Sequence, residues 1–178
     1  MPMSERIPKR YTGVDYALLG VVAVAFGIVF FAAWPVYYAV KAVGGPVLAK
    51  LLTYGIWFMA APLAASLIRK PLSGFLGETL AALIETIIPN AGGVTNLIYG
   101  LAQGAASEIA YLLFKYRKWG VAQGALSGAL AAFPALALDA LLWGDIATPE
   151  VMAIWLAGAL VSGAIYGSVA ALIGKSLR

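Results

Sequence analysis

Residues 16–34 read YALLGVVAVAFGIVFFAAW, nineteen consecutive residues without a charged side chain. As a helix this stretch rises about 28 Å at about 1.5 Å per residue, close to the roughly 30 Å hydrocarbon core of a bilayer. The whole chain of 178 residues has the same character, because 62% of it is hydrophobic, 11% is charged and the mean hydropathy is +0.90. We therefore expect an integral membrane protein and exclude a soluble domain.

Similar apolar stretches, each bounded by charge, proline or glycine, recur along the chain. They predict six membrane-spanning helices over residues 16–34, 47–68, 72–88, 95–114, 120–143 and 151–174. The connections between them are too short to fold independently. We expect an all-α membrane protein in which residues 1–178 form one domain, a bundle of six transmembrane helices.

The basic residues predict the orientation of this bundle. Ten of the twelve Lys and Arg residues fall at one side of the predicted spans: Arg6, Lys9, Arg10, Arg69, Lys70, Lys115, Arg117, Lys118, Lys175 and Arg178. Only Lys41 and Lys50 fall at the other side. Because basic residues accumulate in cytoplasmic loops, we expect a multi-pass protein of the cell membrane with both termini in the cytoplasm.

The composition also excludes several chemistries. The chain contains no Cys and no His, which removes thiolate nucleophiles, disulfides, Ser-His-Asp triads and the usual zinc ligands. We expect no metal, no cofactor and no enzymatic activity. Although the net charge is +4, the cations lie at the ends of apolar stretches, a pattern that topology explains better than nucleic-acid binding.

Carboxylates within the apolar spans are the first functional candidates. Glu78 and Glu85 lie on the third predicted helix, Glu108 on the fourth, and Asp139 near the outer end of the fifth. An ionised side chain at a helix centre costs roughly 2.5–3.5 kcal/mol on insertion scales, so intramembrane acids mark functional sites by default.

The two acids of the third helix are seven residues apart and share one helical face. They are separated by about 10 Å along the axis, and the small residues Ala81 and Ala82 lie between them. This spacing predicts an open wall with an acid at each end, as a ligand cavity requires.

Other polar and aromatic residues fall at the depth of Glu85. On the fourth helix Asn96, Tyr99 and Gln103 form one polar face, and on the second Tyr54 and Trp57 flank a glycine. We find no intramembrane Lys or Arg to neutralise the outer acids. The predicted ligand is therefore small, flat, and rich in hydrogen-bond donors or positive charge; the alternative for these residues is a hydrogen-bond network that fixes helix packing.

Glu78 and Glu108 form a second, inner level. These two acids could share a proton, or pair with Arg69 or Lys70 in a structural role. Tyr37, Tyr38, Trp143 and Trp155 are predicted to form an interfacial aromatic belt. Pairs of small residues four apart predict close helix packing, although the pair Ala23 and Gly27 could equally contact a partner.

These residues together closely resemble the YkoE family. The resemblance covers about residues 54–120 and rests on the motifs YGIWF at 54–58, IRKP at 68–71, Glu78 with Ala81, Ala82 and Glu85, then Gly100, Gln103, Gly104, Glu108 and YRK at 116–118. Asp139 resembles an acid in the family's fifth helix. Members of this family are substrate-binding S components of energy-coupling factor (ECF) vitamin transporters, assigned to thiamine and its hydroxymethylpyrimidine precursor.

The resemblance implies a subunit that captures its vitamin from outside and works with a transmembrane coupling subunit and ATPase subunits. It implies that Glu85 binds an aminopyrimidine edge or balances a thiazolium charge, while aromatic rings stack on the ligand. The candidate substrate-binding residues are Glu85, Tyr54, Trp57, Gln103, Tyr99, Asn96, Glu78, Glu108 and Asp139. The alternatives are a self-sufficient proton-coupled carrier that uses Glu78, Glu85 and Glu108, and a scaffold that binds no ligand.

Overall fold

A computed structural model describes residues 10–178, so that Arg6 and Lys9 of the predicted orientation lie outside the described residues. This part of the chain folds into helices and turns, with no strand. The helices are α1 (Gly13–Thr53), a 3-10 helix (Tyr54–Phe58), α2 (Ala60–Ile68), α3 (Ser73–Ile87), α4 (Thr95–Leu113), α5 (Val121–Trp143) and α6 (Pro149–Ser176).

Within residues 10–178, three segments are long and apolar enough to cross a membrane: Gly13–Ile68, Val121–Trp143 and Pro149–Ser176. The predicted spans 72–88 and 95–114 correspond to α3 and α4. These two helices carry the buried residues Glu78, Glu85 and Glu108, and α3 is only 15 residues long. Their place in the bundle therefore depends on packing against the apolar helices.

The chain reverses direction at Gly45, which corrects the predicted end of the first span and agrees with the predicted start of the second at residue 47. Helix α1 continues past residue 34 and is broken where Gly45 adopts φ 72° and ψ −178°. Glycine adopts a positive φ without steric cost, and Pro46 follows it directly. The chain then returns alongside its first half and brings residue 71 back to residue 11, where the Tyr11 hydroxyl donates to the carbonyl of Pro71 at 2.8 Å.

Helix α3 packs against α1, α2 and α4, and glycines let these neighbours approach it closely. A Cβ atom at Gly27 of α1 would lie 2.6 Å from Cβ of Ile84, and one at Gly100 of α4 would overlap the Ala82 methyl group. Gly77 of α3 itself lies against Ala64 of α2. The pair Ala23 and Gly27 is buried, so it packs within the bundle.

Helices α5 and α6 are joined by a second set of glycines. Cβ atoms built at Gly128 and Gly163 would each overlap the carbonyl of the other residue, and the same is true of Gly124 with Gly167. The backbones therefore touch directly, as small residues permit in membrane helix pairs. The predicted within-bundle packing of these small residues is confirmed.

We expect Gly163→Ala to destabilise the protein, because its methyl group would overlap the backbone of Gly128. Overpacking of this kind costs about 1–3 kcal/mol, and should lower the melting temperature of the purified protein in detergent. Gly158→Ala on the same helix is the matched control, since its nearest neighbours would be 3.6 Å away in Leu51. Equal melting temperatures for the two variants would contradict direct contact of α5 and α6.

Candidate functional site

A cavity of about 290 Å³ lies between α1, the 3-10 helix, α3, α4 and α5. Eight of the nine predicted binding residues line it: Tyr54, Trp57, Glu78, Glu85, Asn96, Tyr99, Gln103 and Asp139. Glu108 is the exception. The structure therefore brings together residues of four separate elements, each predicted from a pattern within its own helix.

One wall of the cavity is the predicted face of α3. Glu78, Ala82 and Glu85 line it and are buried, with exposed fractions of 0, 3 and 2%. The small side chain of Ala82 leaves room between the acids, as their spacing predicts, whereas Ala81 packs in the apolar core beside α1. The expected face of Asn96, Tyr99 and Gln103 on α4 also lines the cavity.

Glu85 lies between two tryptophans. Its Oε1 atom accepts a hydrogen bond from Nε1 of Trp34 at 2.8 Å and another from Nε1 of Trp57 at 3.3 Å. Among residues 10–178, no Lys or Arg nitrogen lies within 4.0 Å of this carboxylate. Indole donors stabilise the charged form but do not neutralise it, so a cationic or donor-rich ligand would find an available negative charge.

Aromatic rings surround Glu85 and form the apolar part of the cavity. The rings of Trp34 and Trp57 meet edge to face, with their centroids 5.5 Å apart. The ring centroid of Tyr37 lies 6.3 Å from that of Trp57 and 5.9 Å from that of Tyr54. Tyr37 is buried against these rings, whereas half-exposed Tyr38 lies at the rim. Tyr37 and Tyr38, which were predicted to belong to the interfacial belt, therefore line the cavity. Flat ligands could stack on these rings.

Asp139 is neutralised by a lysine, which corrects the expectation that no basic residue lies within the bundle. The Lys50 side chain is 0% exposed, and its Nζ atom lies 2.7 Å from Oδ2 of Asp139 and 3.4 Å from Oδ2 of Asp145. The hydroxyl groups of Tyr54 and Tyr99 also donate to Asp139, at 2.6 and 2.8 Å. Lys50 reaches this acid because the reversal at Gly45 turns the end of α1 inward.

Glu78 caps the first turn of α2. Its Oε2 atom accepts the backbone N–H of Ala61 at 2.8 Å, a donor that has no partner within the short helix. The second oxygen, Oε1, is buried and has no hydrogen-bond partner among the described residues. Because an unsatisfied buried oxygen costs free energy, this atom is the second candidate for a ligand contact in the cavity.

Glu108 lies outside the cavity, contrary to the prediction that it binds substrate. Its two oxygens accept the backbone N–H groups of Leu72 at 2.6 Å and Phe75 at 2.9 Å, where α3 begins. The prediction that Glu78 and Glu108 share a proton is also wrong, because the two acids cap different helices. Lys70, an expected partner of these acids, forms its ion pair with Asp15 instead.

The connection between α3 and α4 is organised around an asparagine. Oδ1 of Asn90 accepts hydrogen bonds from Nδ2 of Asn96 at 2.9 Å and from the backbone N–H of Gly92 at 2.8 Å. Asn96 therefore lines the cavity while it anchors the adjacent loop.

Three residues that shape the cavity were not among the predicted binding residues: Trp34, Tyr37 and Lys50. Trp34 ends the first predicted span and Tyr37 follows it, so both resemble belt residues. For Lys50 the spacing of four residues from Tyr54 was a usable signal, and in the structure its Nζ atom donates to the Tyr54 hydroxyl at 2.7 Å.

Two known proteins are similar to this chain over nearly its whole length. The "Putative HMP/thiamine permease protein YkoE" of Bacillus subtilis (strain 168) is 27% identical over 170 residues, which are 95% of this chain and 83% of the relative. A solved structure described as "Crystal structure of an S-component of ECF transporter" superposes with a TM-score of 0.84 at 25% identity. That match covers 94% of this chain and 84% of the solved chain.

These likenesses confirm the resemblance to YkoE and establish the fold of an ECF transporter S component, a class of membrane transport protein rather than an enzyme. The family described as "ABC-type cobalt transport system, permease component" matches residues 14–134, from the first turns of α1 into α5. The chain belongs to this transport family.

Proposed function

We propose that the chain is the substrate-binding subunit of an ECF-type importer and captures thiamine or its hydroxymethylpyrimidine precursor from outside the cell. The observation that carries this proposal is the pairing of Glu85 with two indoles in an aromatic cavity. A carboxylate of this kind suits the amino group of a pyrimidine or the positive charge of a thiazolium ring. The name of the YkoE relative supports the same substrate class.

The partners of the other acids in the cavity narrow the range of substrates further. Asp139 and Asp145 both pair with Lys50, so Glu85 and Oε1 of Glu78 are the carboxylate oxygens left to bind a ligand. A ligand with a flat ring and several N–H donors along one edge would satisfy both acids. Aromatic stacking on Trp57, Tyr54 and Tyr99 would hold the ring.

An organic substrate suits these residues better than the cobalt of the family's description. The chain has no His or Cys, the nitrogen and sulfur ligands that many first-row transition metals favour. Within residues 10–178 no group of three potential metal-binding side chains is close enough to hold an ion. The aromatic lining has no role in binding a bare metal ion.

We further propose the partners and topology that an S component requires. The subunit would work with a transmembrane coupling subunit and with ATPase subunits that supply the energy of uptake. The chain would form a single domain that crosses the cell membrane six times, with α3 and α4 as the two less apolar crossings. The basic residues at one end of the bundle favour cytoplasmic termini.

The proton-coupled carrier has less support. A relay through Glu78, Glu85 and Glu108 needs three exchangeable acids in sequence, but both oxygens of Glu108 are occupied in capping α3.

A side-by-side titration of the purified protein tests the proposal. We expect saturable binding of thiamine, of hydroxymethylpyrimidine or of both at micromolar ligand or below, measured by calorimetry and by quenching of tryptophan fluorescence. Riboflavin, a flat vitamin of different hydrogen-bonding pattern, is the control and should not compete. Absence of binding by either pyrimidine ligand would overturn the proposed substrate.

A further inference from the structure

A second cavity of about 290 Å³ lies at the end of the bundle that carries the chain's C-terminus, away from the aromatic cavity. Its lining comes from the end of α2, the connection between α4 and α5, and the last turns of α6. Three cations face it, each from a different element: Arg69, Arg117 and Lys175. No acidic residue is among its lining residues, so we call it the basic cavity.

The three cations are not neutralised by the part of the chain that the structure describes. Among residues 10–178 the ion pairs within 4.0 Å involve only Lys50 and Lys70 as cations. Partial burial and the nearby Arg178 both lower the pKa of Arg69. Arginine nevertheless stays protonated at neutral pH, because the ordinary pKa of a guanidinium is far above 7. Like charges held together in this way would be stabilised by a bound anion.

Arg69 is held in position by its own helix. It adopts the left-handed conformation at φ 53°, and its Nε–H donates to the carbonyl of Ser66 at 3.3 Å. This contact leaves the terminal amino groups of the guanidinium free to bind a second acceptor. A fork of this kind matches the oxygens of a phosphate group.

A buried hydroxyl group in the same cavity lacks a partner. Ser66 is 2% exposed, and its Oγ atom has no hydrogen-bond partner among the described residues. The first turn of α5 also borders the cavity at Gly120 and Val121. Helix N-termini present free N–H groups and a partial positive charge, so this end of α5 adds to the attraction for an anion.

Stacked aromatic rings support one wall of the basic cavity, and apolar surface lies beside it. Trp119 stacks on Tyr111 with ring centroids 5.1 Å apart and on Tyr116 at 5.9 Å. Leu172 on α6 and Leu177 directly after it are exposed by 52 and 68%, before and after Lys175 in the sequence. In a membrane protein, cations beside exposed leucines lie where acyl chains meet headgroups.

We propose that the basic cavity binds a phosphate group, either in the headgroup of an anionic phospholipid or as a free phosphate ester. The cavity volume far exceeds the roughly 10–15 Å³ that one water molecule needs, so a phosphate with part of its hydration fits. The exposed leucines favour the lipid. This site is separate from the aromatic cavity and does not depend on the proposed substrate.

The test compares lipid retention by the full-length protein in detergent, measured by native mass spectrometry. We expect the wild-type protein to retain phosphatidylglycerol at least tenfold more than net-neutral phosphatidylcholine. The triple variant Arg69→Gln, Arg117→Gln, Lys175→Gln should lose this preference. The matched triple Arg10→Gln, Lys115→Gln, Lys118→Gln removes the same charge outside the basic cavity and should keep it.

A second arm separates the two sources of phosphate. Melting temperatures are measured with inorganic phosphate and glycerol 1-phosphate, against chloride at equal ionic strength. Stabilisation of the wild-type protein by either small anion, abolished in the Arg69 triple variant, would assign a free phosphate ester; selective lipid retention without it would assign the headgroup. The wild-type comparison holds even if a variant fails to fold. No preference for phosphatidylglycerol together with no effect of the small anions, or equal loss in both triple variants, would overturn the proposal.

Discussion

Glu85→Gln is expected to weaken vitamin binding by more than tenfold, which corresponds to about 1.4 kcal/mol or more. The substitution preserves shape, and the glutamine carbonyl can still accept the indole bonds from Trp34 and Trp57. What it removes is the charge that no Lys or Arg within residues 10–178 neutralises. Calorimetric titration of the purified variant measures the loss.

Comparing the loss of affinity for the two ligands shows which role the charge of Glu85 has. If Glu85 balances the thiazolium ring, thiamine loses more affinity than the neutral pyrimidine precursor. If Glu85 accepts hydrogen bonds from the aminopyrimidine edge, both ligands lose affinity by a similar factor. Either pattern agrees with a binding role for Glu85, and unchanged affinity for both ligands would refute it.

Glu108→Gln is the matched control, since it makes the same chemical change in a buried acid outside the cavity. A glutamine has only one acceptor oxygen for the N–H groups of Leu72 and Phe75. We expect a lower melting temperature and little change in affinity per folded molecule. A loss of affinity equal to that of Glu85→Gln would show that stability rather than ligand contact explains both variants.

Lys50→Met is expected to have the largest effect on stability. The substitution leaves Asp139 buried without the cation that lies 2.7 Å away. Breaking a buried ion pair by removing one partner costs about 3–5 kcal/mol, because the remaining charge is unpaired. The melting temperature in detergent should fall more than for any single glycine or glutamate variant above.

The double variant Lys50→Met, Asp139→Asn tests the cause of this effect. With both charges removed, the amide oxygen introduced at position 139 can still accept from the hydroxyls of Tyr54 and Tyr99, so more than half of the lost stability should return. If the double variant is as unstable as Lys50→Met, loss of lysine packing rather than an unpaired carboxylate is responsible.

Local pattern was sufficient to predict most of the cavity residues. Glu78 and Glu85 share a buried face because seven residues are close to two helical turns, and Asn96, Tyr99 and Gln103 line the cavity for the same reason. Periodicity operates within one helix, so it specifies which residues lie together on that helix. It does not specify how the helix is rotated against its neighbours.

The partners of the acids depended on contacts between distant parts of the chain. Glu108 has the same sequence signature as Glu85, yet it caps α3 because the connection at 69–72 brings backbone N–H groups to it. Lys50 and Asp139 are 89 positions apart, and no periodic signal joins them. Their pairing follows from the reversal of the chain at Gly45.

The amino-acid sequence by itself determined the membrane environment, the helical class and the polar faces of α3 and α4, because composition and period are properties of neighbouring residues. Only the tertiary structure decided that, within the part of the chain it describes, no cation reaches Glu85 while Lys50 neutralises Asp139. The physical reason is that neutralising a charge takes a partner within about 4 Å, and the folded chain alone sets such distances.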